Sequence, residues 1–582
     1  MWRVAGVLAL CWAAPAAAAT VSLSPLYAQL TPGQTLAFTA AAPGGVIWQV
    51  NNATGGAISA AGVYTAPATP PNPAAVTITA VSVSDPSVSA TATVTLLAGP
   101  VAGTTYYVAT TGSDSNPGTQ TAPFATLQHA AGVAVAGDTV LVRGGVYHQI
   151  LTLTRSGSAA AGPITFASFP GETATLDGTG LAIPGGQYGL ITVNSASYVI
   201  VEGFEVRNYT TASLADVPIG IYVEGAGKFI QIINDHIHNI TTTAKTNPTQ
   251  CGSNAFGLTV YGTQAPAAIS GLVISGNQID HLLSGCSETM SVDGNVDGFA
   301  ITGNLVHDNN NIAIGAIGFE QVSPQPAYDQ ARNGEIRGNL VYNITSYGNP
   351  DYGKQYAADG IYVDGGKEIV IEQNVVHHAD LAIELASEHK GRVTSYVTAR
   401  NNVVFDNNAN GISIGGYGPA QGGTDHCTVV NNTLYANDSK ATGSGEFQIQ
   451  YYATNNVFRN NLVFGGAQGL LVNNYTATEA KPALVDNNLY FLKTGATTAQ
   501  FTWNGKSFTG FSAYRTGSAQ DAASLFANPL FRDAATFDLD IAATSPALHA
   551  GVVLAPSVVG TVDVAGNPRV DSHGISIGAY QE

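Results

Sequence analysis

The stretches IRGNLVYNI (336–344) and IEQNVVHHA (371–379) decide the fold. Each has an apolar residue, two intervening residues, an Asn, and then a short apolar run. The same pattern recurs in QIINDHIHN (231–239), ISGNQIDHL (274–282), ITGNLVHDN (301–309), ARNNVVFDN (399–407), VVNNTLYAN (429–437), FRNNLVFGG (458–466) and VDNNLYFLK (485–493). The shared Asn falls at 234, 277, 304, 339, 374, 402, 432, 461 and 488, a mean step of roughly 32 residues. Each unit carries two or three very short strands and no helical period, which selects a parallel β-helix over a helical solenoid. Asn side chains stacked at one corner would hydrogen-bond from coil to coil and satisfy their buried amides.

These units resemble those of right-handed parallel β-helix proteins, and the resemblance extends from residue 104 to 582. A helix expected near Phe124 to Val133 would cover the open end of the stack. The run SLFANPLFRD…LDIAATSPALHAGV…DVAGNPRV…IGAYQE (524–582) resembles the closing segment of secreted members. Such folds mostly act on extracellular polysaccharides, which is a prior about function only.

Ahead of the coils lie short alternating runs, such as GVIWQV (45–50) and AVTITAVSV (75–83), between Gly/Pro-rich turns. That is the pattern of a small antiparallel sandwich over residues 20–98, with Trp48 as a candidate core residue. GVYTAPATPP (62–71) and DPSVSATATVTL (85–96) resemble bacterial immunoglobulin-like modules. Residues 99–103 read as a linker. MWRVAGVLALCWAAPAAAAT (1–20) has a basic start, an apolar stretch and a small-residue run, and reads as a secretory signal peptide ending near Ala19. The chain is thus expected to be secreted, extracellular or periplasmic. No later segment is apolar for the length a bilayer span requires.

The 582 residues hold 39 acidic and 21 basic side chains, a formal net charge of −18. That argues against nucleic acid and anionic membranes as partners. Cys11 leaves with the leader. Cys251 and Cys286 lie in loops about one repeat apart and are expected to form a disulfide, leaving Cys427 buried and inert. HIH (236–238) and His377–His378 have no third ligand in view, and no zinc spacing occurs, so no metal is expected.

Aligning the second strand of each coil places acids on one face. GIYVE (220–224), GLTVY (257–261), TMSVD (289–293), NIAIG (311–315), GIYVD (360–364), AIELA (382–386) and GISIG (411–415) each turn their second and fourth residues inward. The outward face then carries Glu224, Tyr261, Asp293, Tyr362, Asp364 and Glu384. Asp364 and Glu384 stand on adjacent coils, two residues out of register, which brings their carboxyl groups within about 5 to 9 Å. That interval contains both glycosidase geometries. Ala313 and Gly315 are expected to leave a hollow beside the pair, walled by loops 320–334 and 345–358 with Tyr328, Tyr347, Tyr352 and Tyr356. A plain solvated acidic surface accounts for each carboxylate singly.

The segment also resembles the β-helix β-xylosidases, in which an Asp nucleophile is followed one coil later by a Glu acid/base and a His-containing turn. That resemblance implies Asp364 as nucleophile or base and Glu384 as general acid. Asp293, Tyr362, Glu388, His389, Lys390 and Arg392 are candidate substrate contacts. The expected function is a glycoside hydrolase acting on a polysaccharide or oligosaccharide, with no cofactor. Calcium-dependent lyases of the alginate lyase and chondroitinase B type offer a second resemblance through Glu384, Ser387 and Lys390. Their Arg on the next coil is missing from GISIGGYG (411–418), and Lys390 is shifted by one. Under that alternative Ca2+ would be required. A β-helix that only binds glycan or serves as a surface structure is the third reading.

Overall fold

The computed structural model describes residues 21–582 except 26, 31, 43, 70, 72–74, 97–102, 245–250 and 478. The leader and all but the last residue of the linker lie outside the described residues.

Residues 22–96 form a small layered β unit. Tyr27–Leu30, Ser89–Leu96, Ala75–Ser82 and Val46–Val50 make one sheet, parallel in its first pair and antiparallel in the rest. Thr35–Ala37, Val63–Thr65 and Ala57–Ile58 make a second sheet. Alternate residues such as Val76, Ile78 and Val94 point into a shared core with Phe38 and Tyr64, and Trp48 packs against it half-buried.

From Thr105 the chain winds into a right-handed parallel β-helix. Three long sheets run its length, and each coil adds one short strand to each. Inward residues stack in register. Ile361 lies over Ile383, Ile383 over Ile412, and Ile412 over Phe447, so branched and aromatic side chains fill one continuous column. Short strands suffice because the core is shared by every coil rather than rebuilt in each. The helix Leu127–Val133 buries Leu127, Ala130 and Ala131 over the first coils, and Thr126 caps it by accepting from the His129 N–H. At the other end Lys506–Thr509 turns back antiparallel on Gln500–Trp503. The helix Phe511–Ser518 then packs there, with Tyr514 stacked on Phe501 at 4.3 Å. Among the described residues no helix is long and apolar enough to cross a membrane.

The Asn ladder runs unbroken through 277, 304, 339, 374, 402, 432, 461 and 488. Asn339 is typical. Its Oδ1 accepts from the backbone N–H and side-chain amide of Asn304, and its Nδ2 donates to the Ile301 carbonyl and to Asn374 Oδ1. Both donors and the carbonyl oxygen are used. Asn234 is not a rung. It sits exposed in the left-handed region at φ 58°, and the next residue, Asp235, accepts at the ladder's head from Phe204 outward and donates its N–H to Asn277. By register Asn234 lies opposite Gly276 and Asp235 opposite Asn277, so Asp235 takes the rung's place in this coil. A second ladder, which the sequence reading did not identify, joins Asn407 to Asn437 and ends on the carboxylate of Glu446.

After the last coils the chain returns along the outside. Asn401, Asn431 and Asn460, all left-handed, donate to the carbonyls of Val559, Ser576 and Val552 and so fasten the closing segment to successive coils.

Candidate active site

The acids lie on the third sheet. Tyr362 pairs with Glu384, and Asp364 with Ala386, as the two-residue offset requires. The coil above differs from expectation. Ile314 pairs with Ile361 and Ile317 with Asp364, two residues along from the expected register of NIAIG. Sidedness is kept because the strand period is two, so the register slips by a whole period without turning the strand over. The hollow is therefore made by Gly315 beside Tyr362, and Ile317 stands between Asp293 and Asp364. A β-carbon at 315 would lie 3.1 Å from Cγ of Glu288. The glycine makes room for Glu288 to lie across the sheet.

This face is not solvated. Asp293 and Asp364 are only 4% and 3% exposed. Two loops bury them. The loop around 319–330 is fixed by Asp329, which accepts from the N–H groups of Gln321 and Ser323 at 2.7 and 2.8 Å. The loop 346–357 is held at both ends by one oxygen of Asp380, which accepts from the N–H groups of Ser346, Ala357 and Ala358. Asn349 donates to the Gly285 carbonyl, and Asp351 accepts from the Ser253 hydroxyl, so that loop also rests on the Cys251–Cys286 region. Those two cysteines are disulfide-bonded with Cα atoms 5.5 Å apart, and Cys427 is free and buried.

Between the loops lies a cleft of about 440 Å³. Five carboxyl groups line it: Glu288, Asp293, Glu320, Asp364 and Glu388, with Tyr261, Tyr352 and Tyr362 among its rings. None of its lining residues is Lys or Arg. Burial and crowding raise the carboxyls of Glu288, Asp293, Asp364 and Glu388. Burial pushes the Glu288 carboxyl up to about 7, and the charges of Glu388 and Glu320 add to this. Asp364 is raised by burial and then by Glu388, while the Glu388 N–H, donating to Asp364 Oδ1 at 2.8 Å, pulls the other way. Asp293 is raised by burial and by Glu288 and Glu320. Glu388 is raised by burial and by Glu320, and accepts from the Tyr362 hydroxyl at 3.2 Å. His389 pairs with Glu320 at 2.7 Å. Glu320, Asp364 and His389 offer ligand atoms all within 4.8 Å of one another.

Several candidates lie elsewhere. Glu384 does not line this cleft. It stands one coil below Tyr362, its carboxylate turned to Gln450 Nε2 at 2.5 Å, with Asp359 as its buried neighbour. Burial pushes Glu384 up to about 7, and Asp359 is raised by burial and by Glu384. Glu384 shares its column with Tyr362, which lies under the charges of Asp364, Glu388 and Glu384 together. Lys390 and Arg392 line a separate groove on the far side of the 319–329 loop, where Arg392 sits over the Phe319 ring. Of the four loop tyrosines only Tyr352 reaches the cleft, while Tyr347 and Tyr356 stack on each other. Glu288 and Glu320 were not singled out from sequence. Their signal is position: one follows the disulfide into a strand of this sheet, and the other opens the loop leaving the next.

A family profile described as "Pel9A-like, right handed beta helix region" matches residues 106–304, and one described as "Right handed beta helix region" matches 359–505. The uncharacterized protein YwoF of Bacillus subtilis (strain 168) is 37% identical over 441 residues, 76% of this chain and 91% of that protein. Pectate lyase PEL9 of Emericella nidulans is 33% identical over 141 residues, 23% of this chain and 32% of that enzyme. Among solved structures, pectate lyase Pel9A superposes at a TM-score of 0.40 with 17% identity, covering 82% of this chain and 96% of that one. XylC, solved with xylose, gives 0.39 and 14%, covering 67% and 75%. With 37% identity over 91% of YwoF, the chain belongs to that protein's family.

Proposed function

We propose that the protein is a secreted carbohydrate-active enzyme, and specifically a glycoside hydrolase whose proton donor is Glu288 and whose base or nucleophile is Asp364. The observation that carries this is the cleft itself: a group of carboxyls, one with its pKa raised to about 7, and no Lys or Arg among the residues that line it. Hydrolysis of a glycosidic bond needs one carboxyl that keeps its proton near neutrality and a second that gives up its own. Two acids sharing a low-dielectric space divide their titration in that way. Tyr261, Tyr352 and Tyr362 add ring surface of the kind that packs on sugars, and in this reading Asp293 and Glu388 contact hydroxyl groups. The short match to PEL9 supports carbohydrate as the substrate class.

The second reading is a calcium-assisted lyase on a uronate-containing glycan, favoured by the Glu320–Asp364–His389 cluster. Imidazole is a poor calcium ligand, and a lyase needs a base beside the uronate carbon, whereas Lys390 lies in the neighbouring groove. Digestion of a polysaccharide panel separates the two. The hydrolase releases products without ultraviolet absorbance and keeps its activity in chelator. Unsaturated products whose release stops in chelator would replace it with the lyase.

Glu384 now has a different expected phenotype. Glu384→Gln should lose less than about 10-fold in kcat, against about 100-fold or more for Glu288→Gln. Activity under 1% in Glu384→Gln would return Glu384 to the reaction. Its burial also predicts a stability effect. A carboxyl raised to about 7 when folded binds its proton more tightly there than in the unfolded chain. Stability is therefore fully present below the unfolded value and is lost as pH rises through about 7. Glu384→Gln should flatten that part of the stability curve, as read by denaturant unfolding at pH 5 and pH 8.

A further inference from the structure

Outside the cleft, one more cluster of ligating side chains among the described residues stands on the closing segment. His549 and Asp571 come from two parts of it that are far apart in sequence, and His573 follows in the same tight turn as Asp571. His549 Nε2 lies 3.0 Å from Asp571 Oδ2. The two imidazole rings stack at 5.2 Å with the carboxylate beside them. One nitrogen from each ring and one carboxylate oxygen lie within 4.8 Å of one another. The carboxylate is aimed by its own turn, since Asp571 Oδ1 accepts the N–H groups of His573 and Gly574 at 2.7 and 3.0 Å and leaves Oδ2 for His549. His549 is held too, in the left-handed region at φ 52°, with its N–H donating to the Ser576 hydroxyl. Around them Gly551 and Ile575 bridge, and Ile577 donates to the Ala547 carbonyl, so the backbone between the two parts is already fixed.

We propose that His549, Asp571 and His573 bind a divalent transition-metal ion of the zinc class. Two imidazoles and one carboxylate form a set that borderline ions take in preference to calcium or magnesium. Three protein ligands leave water to complete the coordination. His549 is about one-quarter exposed and His573 about three-quarters, so the ion enters from solvent with only the His573 ring to adjust. The ion would join these two parts of the closing segment, beside the places where Asn431 and Asn460 fasten it to the coils. Its effect would be to hold that segment down, with no part in the chemistry of the cleft.

The test uses the full chain without a histidine tag, stripped by chelator and titrated calorimetrically with zinc chloride. Wild type should bind one Zn2+ in this site, and saturating Zn2+ should raise Tm by a few degrees. His573→Ala and His549→Ala should each weaken that binding by about 10-fold or more. His389→Ala removes the imidazole of the other metal-competent cluster and should leave this binding unchanged. Since His573 is the most exposed of the three, its loss does not threaten the fold. Zinc affinity unaltered in His573→Ala, affinity lost in His389→Ala instead, or no stoichiometric binding to wild type would each overturn the assignment.

Discussion

Asp364→Asn is expected to lower kcat by about a thousandfold or more while leaving Tm unchanged or slightly higher. The amide has the shape of the carboxyl, and its oxygen can still accept the Glu388 N–H. It can neither take a proton from water nor attack an anomeric carbon. It also removes one charge from a group of five crowded acids, which relieves repulsion rather than adding strain. The same assay run against pH should show kcat/KM falling as pH rises through about 7, where Glu288 loses its proton. Glu288→Gln should lose that limb along with most of its rate. Retention of more than a tenth of wild-type activity by Asp364→Asn would remove it from the mechanism.

The largest effect on stability is expected at the ladder. Asn339→Ala leaves the N–H and side-chain amide of Asn304 without their acceptor and the Ile301 carbonyl without its donor, all in the interior. Each such buried group costs about 1–3 kcal/mol, and water cannot reach to replace the lost partner, so a loss of roughly 3–5 kcal/mol is expected in denaturant unfolding. Asn234→Ala is the matched comparison. It alters the same residue type at the corner position just before the rung, and so breaks no rung, and its cost should be about 1 kcal/mol, from the left-handed backbone alone. Equal losses in the two variants would mean that the ladder contributes little beyond corner geometry.

The contrast between Asn234 and Asn339 also shows what the sequence can reveal. Coil architecture was legible because the period is long, repeated and tied to residues whose amides must be paired in the interior. The sidedness of Asp293, Tyr362, Asp364 and Glu384 was legible for the same reason, since alternation along a strand survives even a two-residue slip such as that at NIAIG. The meeting of side chains was not. Whether Glu384 shares a space with Asp364 depends on which way its carboxylate turns, here to Gln450. Whether Glu288 enters depends on Gly315 one coil away. Whether Lys390 reaches substrate depends on the path of the 319–329 loop. None of these has a period. The cysteine pair was readable because a covalent bond between loops one repeat apart needs only proximity. The His549, Asp571 and His573 grouping was not, because it joins parts of the closing segment that lie outside the repeat.

The grip of Asp380 on loop 346–357 has an evolutionary consequence. One oxygen of a residue in the following coil receives both the departing and the returning backbone, and its other oxygen is occupied by Asn408 of the coil beyond. The two ends of the excursion are thus clasped at a fixed spacing whatever lies between them. Segments of other lengths and compositions can be grafted between Ser346 and Ala357 without shifting the register of any strand. On the proposed function, exchange of such cassettes would change the wall of the cleft while the acids on the sheet beneath stay where the coils put them.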